Sequence, residues 1–389
     1  MKISDDIVCV GVNDHQVDLF EGQYPVPNGM AYNSYLVKDE QLTVFDTVDQ
    51  HFADEWLANL DRELSGKTPS YLVVQHMEPD HAANIAVFME KYPSAKIVSS
   101  SQAFKMMLGF FGTDWHERQL VVKEGDTLTT GRHTFAFVSA PMVHWPEVIV
   151  TYDTVAKVLF SADGFGKFGA NDVVDPDGWD CEARRYYIGI VGKYGPQVLA
   201  LLKKAASLEI KTICPLHGPI LATPDEIAHA LKQYTTWASY AVESEGVLIA
   251  YTSVYGHTRS AVLKLADLLQ AKGCPKVVVA DLARDEMFET IEDAFRYGKL
   301  VLATTTYNGE IFPFMRTFIS HLTERNYQNR TLGFIENGSW APMATKVMKD
   351  LFAKSKNLAF CANTVTIRSA LDATSEAQLV ALADELCGG

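Results

Sequence analysis

Cysteine pairs are what this sequence lacks most visibly. Cys9, Cys181, Cys214, Cys274, Cys361 and Cys387 are scattered with no CxxC spacing, which argues against a disulfide framework or a cysteine-based zinc or iron–sulfur site and fits a thiol-reducing compartment. No apolar run reaches the ~20 residues that span a bilayer. The N-terminus carries two Asp residues within its first ten positions rather than a basic stretch leading into an apolar core, so the expected location is cytoplasmic. Positive charge is also scarce: 34 Lys and Arg against 48 Asp and Glu give a net charge of -14. That balance disfavours nucleic acid and anionic membrane surfaces and leaves small molecules or a protein partner. Internal repeats, low-complexity segments and long charge runs are absent as well.

What is present is a chain of 389 residues, 48% hydrophobic and 21% charged, long enough for two or three domains with cores of their own. The first part alternates short β-rich runs (7–12, 42–45, 71–75, 96–99, 134–138, 148–152 and 157–161) with helical patterns at 54–64, 82–91 and 102–110. This reads as mixed α and β, with sheets sandwiched between helical layers. A polar stretch ending in Gly, residues 241–246, marks a change. Beyond it five strand-like runs (247–251, 276–280, 300–304, 331–335 and 359–366) alternate with amphipathic segments at 260–271, 287–297, 313–322, 341–353 and 375–387. Five βα units describe an open, doubly wound parallel sheet whose ligands bind at the carboxyl ends of its strands. The expected domains are therefore residues 1–245 and 246–389.

Directly after the apolar run 71–75 comes His76-Met77-Glu78-Pro79-Asp80-His81, four potential metal ligands within six residues. So many imidazoles and carboxylates would be awkward in a packed core unless a metal satisfied them together. Pro79 is expected to hold this loop out of a helix, so that alternate side chains share a centre. His144, Asp163 and His217 lie where other strands end; each is a weak candidate alone and gains weight only because a site calls for more ligands.

The order and spacing of these residues resemble the metallo-β-lactamase fold, whose loop normally reads HxHxDH. Here the second His is Glu78; extra carboxylates suit iron or manganese better than tetrahedral zinc and favour bridged metal pairs. With the HxExDH variant and a flavodoxin-like C-terminal half, the chain resembles the flavodiiron proteins along its whole length. The resemblance implies an N-terminal metallo-β-lactamase-like αββα sandwich followed by a flavodoxin-like five-stranded parallel sheet. It places His76, Glu78 and His144 on one iron, Asp80, His81 and His217 on the other, and Asp163 between them. The aromatics Trp145, Tyr194 and Tyr24 are read as core residues or as walls of the site.

The C-terminal half holds a second constellation. Ser253, Tyr255, Gly256, His257 and Thr258 form a hydroxyl-rich loop at a helix N-terminus, where backbone N–H groups bind a monophosphate without Lys or Arg. There is no Walker sequence and no GxGxxG, so nucleoside triphosphates and NAD fit poorly. Capping of the helix by Ser253 and Thr258 is the competing reading. Thr304, Thr306, Tyr307, Asn308 and Gly309 follow the third strand, and Asn337, Gly338, Ser339 and Trp340 the fourth; their amides and rings suit a planar ligand. Flavodoxin-like domains use these three places for FMN, so the resemblance implies FMN beside two iron ions.

Together the two sites describe reduction of O2 to water, of NO to N2O, or both. The chain stops after the fifth βα unit, so the electron donor is expected to be external, rubredoxin first and a deazaflavin second. The resemblance also implies a head-to-tail homodimer or a dimer of dimers. Two other classes compete: a zinc-dependent hydrolase with a flavodoxin-like accessory domain, against which Glu78 argues, and an FMN-based sensor, for which seven metal ligands would be idle.

Overall fold

A computed structural model describes residues 2–387. The chain forms two compact units, one reaching to Thr235 and the other beginning at Thr236. This division precedes the polar stretch 241–246, because residues just before that stretch already pack with the second unit. The Arg330 guanidinium donates to the carbonyls of Tyr240 (2.7 Å) and Ala241 (3.0 Å), and the strand Ser244–Tyr251 follows at once.

In the first unit a six-stranded sheet runs in the order Ile7–Cys9, Tyr35–Val37, Thr43–Phe45, Tyr71–Val73, Lys96–Ser99, Gln119–Val121. The first two pairings are antiparallel and the rest parallel. A five-stranded sheet, Thr127–Thr129, Thr134–Ser139, Ile149–Asp153, Val158–Phe160 and Thr212–Cys214, completes the pair. Ile7, Tyr35, Phe45, Val73 and Val98 of one sheet share a core with Phe135, Phe137, Ile149 and Phe160 of the other. Phe45 and Phe160 stack at 4.0 Å and 7°. The helix Ala53–Leu64 buries Trp56, Leu60 and Leu64, spaced four residues apart on one face.

The helix expected at 82–91 is two pieces, Pro79–Ala82 and Ile85–Lys91. Asn84 breaks it, because its side-chain amide donates to the carbonyls of Val48 (2.8 Å) and Asp49 (3.1 Å).

In the second unit the strands lie in the order Val277–Asp281, Ser244–Tyr251, Tyr297–Tyr307, Thr331–Asn337, Ala359–Ile367, all parallel. In chain order that is 2-1-3-4-5, the flavodoxin-like arrangement. Leu300 to Ala303 are buried on both faces, as expected of a central parallel strand covered by helices. One strand was not expected: Glu310–Ile311 folds back antiparallel onto Tyr297–Tyr307. The turn between them places Asn308 and Gly309 at φ 53° and 70°, left-handed values that suit these two residue types.

Candidate functional site

The run from His76 to His81 leaves the carboxyl end of Tyr71–Val73 and is shaped by Pro79. Contrary to expectation, Pro79 does not keep the loop out of a helix; it opens the helical turn Pro79–Ala82 at its first position, where a missing N–H costs nothing. Glu78 before it is extended, with ψ 136°. Glu78 thus faces one way while Asp80 and His81 rise on the turn. Asp163 sits in a tight turn in which Gly164 N–H donates to Ser161 O and Gly166 N–H to Asp163 O, both at 3.0 Å. His217 follows Thr212–Cys214, and Gly218 after it has φ 74° and no room for a side chain, since Lys167 Cγ lies 2.6 Å from where a Cβ would stand.

The seven residues converge as two groups, His76, Glu78, His144 and Asp163 in one, Asp80, His81 and His217 in the other. In the first group His76 Nε2 lies 3.2 Å from His144 Nε2 and 3.2 Å from Glu78 Oε2. In the second, His81 Nε2 lies 3.0 Å from His217 Nε2, and His217 Nε2 3.3 Å from Asp80 Oδ2. Asp163 reaches both, with Oδ2 2.9 Å from His144 Nε2 and Oδ1 3.4 Å from His81 Nε2. A cation ~2.1 Å from each of two ligand atoms holds them roughly 3.0–3.4 Å apart, so the spacings are ones that a metal in each group could span.

Hydrogen bonding from behind fixes which ring nitrogens face inward. Ala31 O, an acceptor only, lies 2.8 Å from His217 Nδ1, and a Glu147 oxygen lies 2.8 Å from His76 Nδ1. Each Nδ1 therefore carries the proton and leaves its Nε2 lone pair directed at the centre. Both carboxylate oxygens of Asp80 and of Asp163 are buried without a hydrogen-bond partner among the described residues. Carboxylates left so are costly unless a cation meets them. Electrostatics agree. Burial pushes the Asp80 carboxyl up to about 7, with Glu78 and Asp163 adding to the rise. Burial opposes a proton on His76, yet the Asp163, Glu147 and Glu78 carboxylates outweigh it and draw its pKa well up. The centre attracts positive charge and suits two harder cations.

Of the aromatics expected near the site, Trp145 touches it, 5.2 Å from the His76 ring. Tyr24 instead donates to Gly189 O at 2.9 Å and packs on Phe168, and Tyr194 contacts Lys193. The rings that enclose His217 are Phe20, Tyr32 and Tyr186, none of them singled out in the sequence. Glu147 and Asp46 were missed too. Asp46 is fully buried and accepts from Gln75 N–H (2.7 Å) and His76 N–H (3.3 Å), fixing the start of the ligand loop.

In the second unit a cavity of about 740 Å³ opens at the carboxyl ends of the strands, well within the size range of cofactor sites. Ser253, Tyr255, His257, Thr258, Thr306, Tyr307, Asn308, Gly309, Asn337, Gly338, Ser339 and Trp340 line it. Two expected residues stand apart. Thr304 belongs to the strand, fully buried, its hydroxyl 2.7 Å from that of Thr252. Gly256 caps the helix His257–Ala271 at φ 91° and does not line the cavity. The Ser253 hydroxyl accepts from the N–H groups of Gly256 and Arg259, both at 3.2 Å, so it caps and shapes the phosphate-loop candidate. Thr305, Met343 and Ser369 line the cavity without having been expected. Trp340 is 88% and Tyr255 90% exposed, flat apolar faces that a planar ring would cover.

Comparison with known proteins follows the same lines. A family model described as "ODP family beta lactamase" matches residues 30–218, the segment that holds all seven converging residues. A mutant of the flavo di-iron protein from Thermotoga maritima superposes with a TM-score of 0.87 at 26% identity, covering 98% of this chain and 95% of that one. Over 359 residues the chain is 31% identical to the rubredoxin-oxygen oxidoreductase of Megalodesulfovibrio gigas, covering 90% of this chain and 88% of that protein. The chain belongs to the flavodiiron protein family. The solved structure of rubredoxin oxygen:oxidoreductase from Desulfovibrio gigas matches this flavodiiron protein with a TM-score of 0.93 at 28% identity, over 100% of this chain and 98% of that one. The anaerobic nitric oxide reductase flavorubredoxin of Aliivibrio salmonicida is 29% identical over 352 residues, 87% of this flavodiiron protein and 69% of the relative.

Proposed function

We propose that this protein reduces O2 to water, NO to N2O, or both, at a di-iron centre, with electrons arriving through FMN from an external rubredoxin-type donor. The observation that carries the reading is Asp163, whose two oxygens reach two ligand groups at once, while a flavin-sized cavity stands at the strand ends of the second unit. His76, Glu78 and His144 would hold one iron, Asp80, His81 and His217 the other, and Asp163 would join them. When bound, ferrous ions and a flavin supply electrons singly or in pairs to a small oxidant.

The residues of the chain do the rest. Glu147 and Ala31 O keep two imidazoles in the tautomer that offers Nε2 to the metal. The rings of Phe20, Tyr32, Trp145 and Tyr186 exclude water around the imidazoles. On the second unit, the N–H groups at the start of helix His257–Ala271 would hold the FMN phosphate, and Tyr307 and Trp340 its ring.

The names of the relatives in Megalodesulfovibrio gigas and Aliivibrio salmonicida, rubredoxin-oxygen oxidoreductase and anaerobic nitric oxide reductase flavorubredoxin, support both substrates and the donor class. Among the described residues no helix is long and apolar enough to cross a membrane, and we take the protein to act in the cytoplasm. We also propose a head-to-tail homodimer or dimer of dimers, which would bring the flavin of one subunit to the irons of the next.

The test is anaerobic purification followed by metal analysis and a visible spectrum, then turnover with reduced rubredoxin and either O2 or NO. Two irons and one FMN per chain, with consumption of either gas, support the proposal. Two zincs and no flavin would replace it with hydrolysis.

A further inference from the structure

Two thiols in the second unit meet outside the set of residues lining the flavin cavity. Cys274 follows the helix His257–Ala271, and Cys387 is the last residue of the helix Ala373–Cys387. Their sulfurs are 2.6 Å apart across 113 residues of chain, nearer than two thiols rest in simple contact. A disulfide needs ~2.05 Å, so bond formation asks the two sulfurs to close by well under 1 Å.

The position is held by its surroundings. The two helices share a core through Leu265, Leu269, Leu379, Leu382 and Leu386. Ion pairs Lys264–Glu376 and Lys272–Asp384 run along their exposed edge. Lys299 Nζ donates to Leu386 O at 2.6 Å, one residue before Cys387, and Cys274 N–H donates to Leu269 O at 3.0 Å. Both thiols are half-buried, whereas Cys214 and Cys361 are buried, so a small oxidant reaches the pair before it reaches those two.

We propose that Cys274 and Cys387 form a reversible redox pair, closed to a disulfide by a peroxide and reopened by a dithiol. One thiolate attacks a peroxide oxygen, the O–O bond breaks, water leaves and a sulfenic acid forms. The second thiolate attacks that sulfur, the S–S bond forms and a second water leaves. Two thiols lose two electrons and two protons, and one hydrogen peroxide takes up both. Burial, with the neighbouring Cys387 thiol, raises the Cys274 pKa to about 11, so Cys274 is held mostly as the thiol until the oxidant arrives. This modification is independent of the proposed gas chemistry. The closed form ties the end of the last helix to the end of the first, closing a sequence separation of 113 into one covalent loop.

The test uses the full-length, FMN-loaded protein. Thiols are counted in denaturant before and after hydrogen peroxide, and the modified protein is mapped by peptide mass. The expected result is a fall from six titratable thiols to four, a linked peptide joining Cys274 to Cys387, and return to six with dithiothreitol. Cys274→Ser and Cys387→Ser should each abolish the linked peptide, while Cys181→Ser should leave it in place. Six thiols surviving peroxide, a disulfide mapped elsewhere, or sulfinic acid at Cys387 forming equally fast in wild type and Cys274→Ser would each overturn the proposal.

Discussion

A Glu147 oxygen stands 2.8 Å from Nδ1 of His76 and also accepts the backbone N–H of Met77 at 2.8 Å. One buried carboxylate thereby orients the ring proposed as a ligand and the backbone of the loop carrying it. Glu147→Gln keeps the shape but can turn an amide donor toward Nδ1, disturbing the tautomer. Iron retention should fall about 10- to 100-fold, measured as iron remaining after dialysis against a graded chelator, with flavin content unchanged. Unaltered retention would show that His76 needs no such support.

His81 and His217 face each other at 3.0 Å but are held unequally. His217 Nδ1 is bonded to Ala31 O, whereas His81 Nδ1 is buried without a hydrogen-bond partner among the described residues. A ring positioned in advance gives more of its binding energy to the metal. His217→Asn should therefore lose more iron than His81→Asn, and both should keep FMN. Metal analysis of the two variants side by side decides it; equal loss would mean the anchor contributes nothing.

Trp340, 88% exposed at the rim of the cavity, is predicted to matter only when the flavin is in place. Trp340→Ala should weaken FMN binding up to about tenfold, the value of one aromatic contact, and leave iron content and melting temperature of the flavin-free protein unchanged. Fluorescence titration with FMN provides the measurement. Loss of iron in this variant would contradict the assignment of the cofactors to separate units.

His133 lies between two carboxylates, with Nδ1 hydrogen-bonded to Asp153 and Nε2 3.1 Å from Asp6. The Asp153 bond, acting against burial and helped by Asp6, raises the His133 pKa. A raised folded value means the stabilisation is fully present below the unfolded pKa of ~6.5 and is lost as pH climbs through the folded value. His133→Gln should destabilise by about 1–3 kcal/mol at pH 6, and the gap in denaturant midpoint should narrow toward alkaline pH. A gap that widens with pH would refute a protonated His133.

Much of this was legible in the sequence for reasons that are local. Four ligand-type side chains within His76 to His81 have few other uses, and five apolar runs separated by amphipathic segments can hardly be anything but a parallel sheet with helices. What escaped the sequence depends on burial. Glu147, in His144-Trp145-Pro146-Glu147, reads as a solvated turn residue, and only its 2% exposure shows otherwise. Tyr186 and Phe20 come to His217 from separate parts of the chain with no pattern to announce them. Thr304 misled in the opposite direction: a polar residue at an apparent strand end, it is consumed by a strand that continues to Tyr307 and by the Thr252 hydroxyl. Asn84 shows how one amide, by bonding to Val48 and Asp49, overrides a helical pattern on both sides of it.

Asp163 has one further implication. Because its two oxygens serve different groups and its turn is pinned by the Ser161 and Gly164 carbonyls and N–H groups, the carboxylate cannot swing to satisfy one group at the other's expense. A cation in the first group would offset the Asp163 charge that helps to raise the Asp80 carboxyl in the second. Metal uptake at the two groups should therefore be linked through one side chain, so that the affinity of the second group for iron depends on whether the first is filled.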